Sequence, residues 1–232
     1  MSTRPVEIGG SLVDLAVQAV RNHIRDHDLK VGDSLPGEGQ FATSLGVSRA
    51  VMREAFGALA ALRLLDVGNG RRARVGAIDG SVMGASLEHA VTTSQISVAD
   101  VWDVRRTLEV RIAALAAERR SAEQAEQILA LAEAMVRDQG DMARVTAHDT
   151  AFHQVLAAAT GNVLFAQIVR SFAPQMEVAV PKAWETRHAQ EEKAGILSLH
   201  RRIARAIADG DSGNAAAAME AHFDASIGDH LR

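Results

Sequence analysis

The chain has 232 residues and a net charge of −4, with 47% apolar and 3% aromatic residues. It contains no cysteine, which excludes disulfides and thiolate metal sites, so any metal must be held by histidine and carboxylate. The N-terminal residues lack the apolar run of a signal peptide, and no segment reaches the ~20 apolar residues of a membrane helix, so we expect a cytoplasmic protein without membrane contact.

The first part of the chain, residues 1–77, is predicted to form a winged helix-turn-helix. A helix over 11–29 is followed by a short helix over 38–45, and Gly46 ends it. A third helix runs from Ser48 to about residue 62, and two helices around a tight glycine-containing turn are typical of a helix-turn-helix. Residues 64–67 and 72–75 alternate around Gly-Asn-Gly, which predicts a β-hairpin that would be the wing.

The second helix of such a motif meets base edges with its N-terminal side chains. Arg49 has the geometry to pair with both acceptors of guanine, and Arg53 lies one turn further on the same face. The hairpin tip would enter the minor groove, whose negative potential favours arginine. An arginine pair that only solvates the helix is the alternative, but the order of turn, hairpin and basic tip argues against it. The predicted DNA-binding residues are Ser48, Arg49, Ala50, Arg53, Asn69, Gly70, Arg71 and Arg72.

The remainder, residues 78–232, is predicted to be an all-α antiparallel helical bundle, so the fold class is mainly α. Residues 77–81 are the expected linker. Amphipathic helices are predicted over 98–119, 122–137, 141–159, 163–178, 190–208 and 212–231. Their connections are short, which favours antiparallel neighbours.

Four residues of the bundle suit a metal. Asp149 and His153 are four apart and so share a helix face, while His200 and His222 lie in apolar stretches of later helices. Three imidazoles and one carboxylate would hold a divalent ion, Zn first and Ni or Mn as alternatives. Spacing alone does not decide this, because such a pair is often a surface or capping feature and a single histidine in an apolar stretch is often a core residue.

The segment from residue 35 to residue 59 resembles the operator-binding stretch of the GntR superfamily, whose pattern is roughly LPSERELAxxLGVSRxxVREALxxL. Matching positions are Leu35-Pro36, Glu38, Leu45-Gly-Val-Ser-Arg49 and Arg53-Glu54-Ala55. The chain departs from the pattern at Gly37, where serine is usual, and at Gly39, where the family has an arginine that commonly contacts DNA. The resemblance implies double-stranded operator DNA as a partner.

Residues from about 82 to 231 resemble the FCD effector domain of the FadR branch. The matching stretches are Val104 to Glu109, Asp149-x-x-Phe152-His153, Gly161-Asn162, His200-x-x-Ile203 and the late His222. The resemblance implies a metal at Asp149, His153, His200 and His222 in the bundle core, with a small carboxylic or sugar acid as effector.

Predicted effector contacts are Arg105, Arg106 and Asn162. Arginine offers a planar fork of donors to a carboxylate, although the spacing from Arg105 to Glu109 equally fits an ordinary helix salt bridge. Capping the following helix is the more expected role of Asn162.

The helix-turn-helix leads us to expect a homodimer that binds a palindromic operator, and the family resemblance implies a repressor that is released by an organic or sugar acid. Three alternatives stay open. The metal itself is the effector in the first, the metal is only a structural clamp in the second, and the chain is a metalloenzyme in the third. The last is disfavoured because the four ligands leave no spare carboxylate as a general base.

Overall fold

The computed structural model describes residues 10–68, 70–185 and 190–226 of the chain. Contacts group the chain into two compact units, Met1–Val82 and Met83–Arg232. The fold is mainly α, as predicted. The helices are α1 Leu12–Asp26, α2 Glu38–Leu45, α3 Arg49–Ala61, α4 Gly80–Thr92, α5 Val98–Arg119, α6 Ala122–Arg137, α7 Met142–Ala159, α8 Val163–Ser171, α9 Ala173–Glu185, α10 Gln190–Asp209 and α11 Ser212–Ser226. The strands are β1 Leu65–Asp66 and β2 Arg74–Val75.

Local sequence explains where the helices of the first unit begin and end. The Asp14 backbone N–H donates to Ser11 Oγ and the Ser11 backbone N–H donates to the Asp14 carboxylate, at 3.1 and 2.9 Å, which forms a capping box at α1. Gly37 has no side chain to cap α2, but its N–H donates to Gln40 Oε1 at 3.1 Å. Helix α2 therefore has one of the two hydrogen bonds of a capping box. Gly46 ends α2 at φ +68°, a conformation that glycine adopts without strain.

The predicted β-hairpin is present, with shorter strands than the alternation indicated. β1 and β2 pair antiparallel, with Leu65 opposite Val75 and Asp66 opposite Arg74. Leu65 is buried and joins the core of this unit, so the hairpin is anchored on the helices. The other buried members of that core are Ala16, Val20, Leu35, Phe41, Ala42, Met52, Ala55, Phe56 and Leu59.

The second unit is a bundle centred on α5, which packs against α7, α10 and α11. The pairs α6 with α7 and α10 with α11 also pack together. Each pair is joined by a turn of a few residues, so its two helices run antiparallel. Within the part of the chain that the structure describes, no helix combines the length and apolarity that a bilayer crossing requires.

Helix α4 was not predicted, and the predicted linker over 77–81 overlaps its start. The fully buried residues of α4 are Gly80 and Gly84, and because glycine inside a helix costs about 1 kcal/mol relative to alanine, the sequence signal for a helix is weak here. A Cβ on Gly84 would lie 3.1 Å from the Ser171 carbonyl oxygen, so this close approach depends on glycine. Packing of α4 against α8 therefore contributes to its stability in a way that the local sequence pattern does not show.

The single helix predicted over 163–178 is two helices, α8 and α9, which meet at Phe172. Pro174 explains the break, because a proline in a continuous helix cannot donate to the carbonyl of residue 170 and its ring would clash there. In the first turn of α9 the same proline is tolerated. The second helix then continues through Pro181 to Glu185.

Candidate functional site

The bundle brings the four predicted metal ligands together. Asp149 and His153 lie one turn apart on α7, His200 lies on α10 and His222 on α11, and all four are buried. One ligand nitrogen from each of the three imidazoles falls within 4.8 Å of the others. Asp149 Oδ1 lies 3.0 Å from His200 Nε2 and 3.8 Å from His153 Nε2. A cluster of three histidines and one aspartate thus lies in the core of the second unit.

The two ring nitrogens of His200 have contacts that a neutral imidazole cannot satisfy on its own. Its Nδ1 lies 3.0 Å from the Ile196 carbonyl oxygen, which can only accept, so Nδ1 carries the proton of a neutral ring. The Nε2 lone pair of that ring then faces the Asp149 carboxylate at 3.0 Å. Two acceptors at this distance repel each other unless the ring is doubly protonated or a cation lies between them.

His153 is oriented by Glu109, a residue that the sequence analysis considered only as a possible salt-bridge partner of Arg105 and as part of the stretch resembling the FCD domain. The Nδ1–H of His153 donates to Glu109 Oε2, which leaves Nε2 buried and without a partner among the described residues. Glu109 is 1% exposed and also accepts from Arg105 Nε at 2.7 Å. Burial raises the pKa of Glu109, but Arg105 and His153 lower it to about 2, so the carboxylate is ionised. A carboxylate behind a ligand histidine is the usual support of a protein metal site.

His222 completes the set of available nitrogens. Its Nδ1 is buried without a partner among the described residues. Burial lowers the pKa of His222 well below its ordinary value, and the charges of His200 and His153 add to this, so the ring stays neutral. Burial alone would raise the pKa of Asp149, but contact with His200 and the other imidazoles keeps it well below its usual range. Bare imidazole nitrogens and an ionised carboxylate fit a first-row divalent ion.

A cavity of about 40 Å³ adjoins this cluster. Besides the four clustered residues, its wall includes Trp102, Arg105, Val180, Trp184, Ile196 and Leu197. Arg105 is the one lysine or arginine side chain on the described wall. The arrangement therefore offers a small ligand a metal-type donor set, one cation and an apolar remainder.

The structure separates the three predicted effector contacts. Arg105 is buried on the cavity wall, whereas Arg106 is partly exposed and pairs with Glu220 and Asp224 at 3.2 and 2.7 Å. Asn162 is exposed, and its Oδ1 accepts from the Leu164 N–H at 3.0 Å as the cap of α8. Arg106 and Asn162 are therefore not brought to the described cavity, and Arg105 is.

Replacing Glu109 with glutamine is expected to weaken metal binding about 10- to 100-fold, the usual cost of losing a carboxylate behind a ligand histidine. A chelator competition titration of the purified protein measures this change. The same substitution leaves the buried Arg105 charge uncompensated, which destabilises the fold. The double variant with Arg105→Met removes that charge, so its stability should recover while its metal affinity stays low. Metal affinity that recovers with stability would contradict the role of Glu109.

The first unit presents the predicted DNA-binding residues at its surface. Ser48 caps α3, with its Oγ accepting from the Val51 N–H at 3.2 Å, and Arg49 and Ala50 form the first exposed turn. Arg53 is exposed one turn later, and its Nε lies 3.9 Å from Glu38 Oε2. The described wing residues Gly70, Arg71 and Arg72 are also exposed, while Asn69 lies outside the described residues.

Two details of this surface were not evident from the sequence. A Cβ on Gly39 would lie 3.7 Å from Arg49 Nε, so the Arg49 guanidinium lies beside the position that is an arginine in the family pattern. On the wing, Arg71 Nη2 pairs with Asp66 Oδ1 at 2.7 Å. On this surface Arg49 therefore lies next to α2, and the wing residue Arg71 is paired with Asp66 of strand β1.

Comparisons with known proteins agree across both units. Residues 12–75 match the family "Bacterial regulatory proteins, gntR family", and residues 100–225 match the "FCD domain" family. The chain is 30% identical over 205 residues to the HTH-type transcriptional regulator LutR of Bacillus subtilis strain 168, covering 86% of this chain and 92% of that protein. It is 27% identical to the HTH-type transcriptional repressor NanR of Enterobacter sp. strain 638, covering 92% and 83%. The solved structure of Streptococcus agalactiae GntR is similar with a TM-score of 0.65 and 25% identity, covering 92% of this chain and 97% of that one.

Proposed function

The chain belongs to the GntR family of bacterial regulatory proteins and carries an FCD domain, and we propose that it represses transcription until a small carboxylic or sugar acid binds beside a divalent metal. The family and the relatives make it a ligand-responsive DNA-binding transcription regulator and not an enzyme. The repressor assignment is supported by the relative named as a repressor. The metalloenzyme alternative is therefore set aside.

One observation carries the metal proposal. Buried nitrogens of His153 and His222 lack partners among the described residues, and His200 Nε2 faces a carboxylate at 3.0 Å. A divalent ion would satisfy all of these atoms at once, and Zn²⁺ suits nitrogen and oxygen ligands best, with Ni²⁺ and Mn²⁺ as alternatives. When bound, the ion would supply a Lewis-acid site for a carboxylate or hydroxyl of the effector. Residues Asp149, His153, His200 and His222 would hold it.

Arg105 is the proposed protein contact to the effector. It is 3% exposed, lies on the cavity wall and is fixed by Glu109, so its guanidinium is oriented before a ligand arrives. A preorganised cation loses little entropy on binding a carboxylate. The predicted roles of Arg106 and Asn162 in effector binding gain no such support.

A homodimer on a palindromic operator in the cytoplasm completes the proposal. Two recognition helices, one α3 from each protomer, would lie about 34–36 Å apart in successive major grooves. Effector binding would change DNA affinity, and linkage requires that DNA change effector affinity by the same factor. Sedimentation of the protein with and without a two-site operator tests the dimer, because a monomer would occupy the two half-sites independently.

Thermal melting of metal-loaded and chelator-stripped protein against hydroxy acids, sugar acids and fatty acids tests the proposal. A ligand at about 100 times its dissociation constant adds about 2.7 kcal/mol to the free energy of unfolding. We expect the melting temperature to rise with one class of acid, and only in the loaded protein. A rise that is independent of metal would place the effector away from the cluster. Operator binding that follows free metal and ignores every acid would instead establish a direct metal sensor.

A further inference from the structure

We propose that the effector is an amphipathic acid whose carboxylate lies at the metal cluster and Arg105, while its aliphatic or aromatic body extends along an apolar wall to Trp184. The inference rests on the proposed function, since it names the class of acid that the same cavity takes and a residue that selects it. It separates apolar carboxylic acids from sugar acids, which the proposed function leaves together.

The cavity has its charged and metal-ligating side chains together on one part of its wall. These are the four residues of the cluster and Arg105, and each is 7% exposed or less. Apart from Ser226, the other described wall residues are apolar or aromatic, Val145, Ile196 and Leu197 among them. Ser226 is the one hydroxyl on the described wall, which has no side-chain amide. A carboxylate therefore has partners at the cluster, whereas a chain of hydroxyl groups has few.

Helices α9 and α10 show in which direction the wall changes. Ile196, Leu197 and His200 lie on one face of α10, and all three line the cavity. Ile196 lies one turn from His200, about 6 Å along the helix axis. His200 is buried, whereas Val180 and Trp184 on the wall from α9 are partly exposed. The acid group of a ligand would thus lie inside, with its body towards the outer end of the cavity.

Trp184 is suited to contact the ligand body at that outer end. Its side chain lines the cavity, and the Nζ of Lys193 lies 5.5 Å from its ring centroid. A cation at this distance is attracted to the ring and restrains it. Lys193 precedes the wall residues Ile196 and Leu197 by one turn of α10, so the indole is held beside the apolar wall. An aromatic ring of this size offers a ligand a large apolar contact area.

Desolvation distinguishes the two classes of acid. Each CH₂ group that leaves water for an apolar wall raises affinity about threefold to fourfold. A hydroxyl group that leaves water without gaining a partner lowers affinity instead. Because Ser226 is the one hydroxyl on the described wall, most hydroxyl groups of a sugar acid would gain no protein partner. The wall therefore favours an acid with an apolar body.

Calorimetric titration of the metal-loaded protein with glycolate, 2-hydroxyhexanoate and gluconate tests the inference. All three acids share a 2-hydroxycarboxylate head, and the last two have equal numbers of carbons. We expect 2-hydroxyhexanoate to bind at least about tenfold more tightly than either of the others, because only its body gains from apolar contact. Trp184→Ala should weaken 2-hydroxyhexanoate about tenfold and glycolate less than about threefold.

Val178→Ala is the matched control for this experiment. Val178 also lies on α9, but it is 55% exposed and outside the described cavity wall, so its truncation should change neither affinity. Glycolate binding by Trp184→Ala reports whether the cluster of the variant is intact, because glycolate has the shared head and no longer body.

The outcomes separate this inference from the proposed function. If Trp184→Ala weakens glycolate and 2-hydroxyhexanoate equally, or weakens neither, the role of Trp184 is overturned while the proposed function stands. If gluconate binds wild type as tightly as 2-hydroxyhexanoate or more tightly, the apolar class of effector is overturned and a sugar acid remains. If none of the three acids binds metal-loaded wild type, the proposed acid effector and this inference are both overturned.

Discussion

Replacing His200 with alanine is expected to abolish metal binding in the second unit, together with the stability that the metal adds. His200 supplies a nitrogen at the centre of the cluster, since its ring centroid lies 4.4 Å from that of His222 and its Nε2 lies 3.0 Å from Asp149. Metal at about 100 times its dissociation constant adds about 2.7 kcal/mol to the folded state. In a chain of this size that corresponds to a rise in melting temperature of about 5–10 °C. Circular dichroism melts of stripped protein with and without added Zn²⁺ measure it.

His148→Ala is the matched control for this prediction. His148 also lies on α7, next to Asp149, but its Nε2 contacts Asp138 at 2.9 Å and not the cluster. The control should keep the full metal-dependent rise. Because the rise in melting temperature is measured for each variant against its own metal-free form, a change in the stability of the metal-free protein does not affect the comparison. A full rise in His200→Ala would show that His200 is not a ligand.

Replacing Arg49 with alanine is expected to weaken operator binding by about 1–3 kcal/mol, or about tenfold to a hundredfold, the usual worth of a bidentate contact to guanine. Arg49 is exposed in the first turn of α3 and forms no salt bridge within the described residues. Its guanidinium lies beside Gly39, the position that is an arginine in the family pattern. The loss should therefore be large, because no neighbouring arginine at residue 39 can replace it.

The measurement starts from an operator selected out of a pool of random duplexes with the wild-type protein. Fluorescence anisotropy then gives the affinity of each variant for the selected duplex and for a scrambled one. Arg111→Ala, which removes the same charge from an exposed position of α5, should leave both affinities nearly unchanged. Equal losses on both duplexes would mean that Arg49 contacts phosphate and does not read bases. No loss on either duplex would remove Arg49 from the interface.

The sequence was sufficient for the fold class and for the parts of each site that depend on local chemistry. Gly46 and Ser48 set the turn of the helix-turn-helix, because a left-handed turn favours glycine and a helix start favours a side-chain acceptor. The four proposed metal ligands could be named because a chain without cysteine leaves imidazole and carboxylate as its ligands, and the family resemblance chose among the nine histidines. The domain boundary at 77/78 stays a prediction.

Tertiary structure decided which side chains share a site. The spacing of Arg105 and Glu109 was compatible with a helix salt bridge, but only packing of α5 against α7 shows that Glu109 also orients His153. Packing likewise placed Arg105 on the cavity wall, turned Arg106 towards α11, and left the Trp102 N–H without a partner among the described residues. Sequence patterns report which face of a helix is buried, because burial follows helical periodicity. They do not report which neighbour a buried polar group meets, because that partner comes from another helix many residues away.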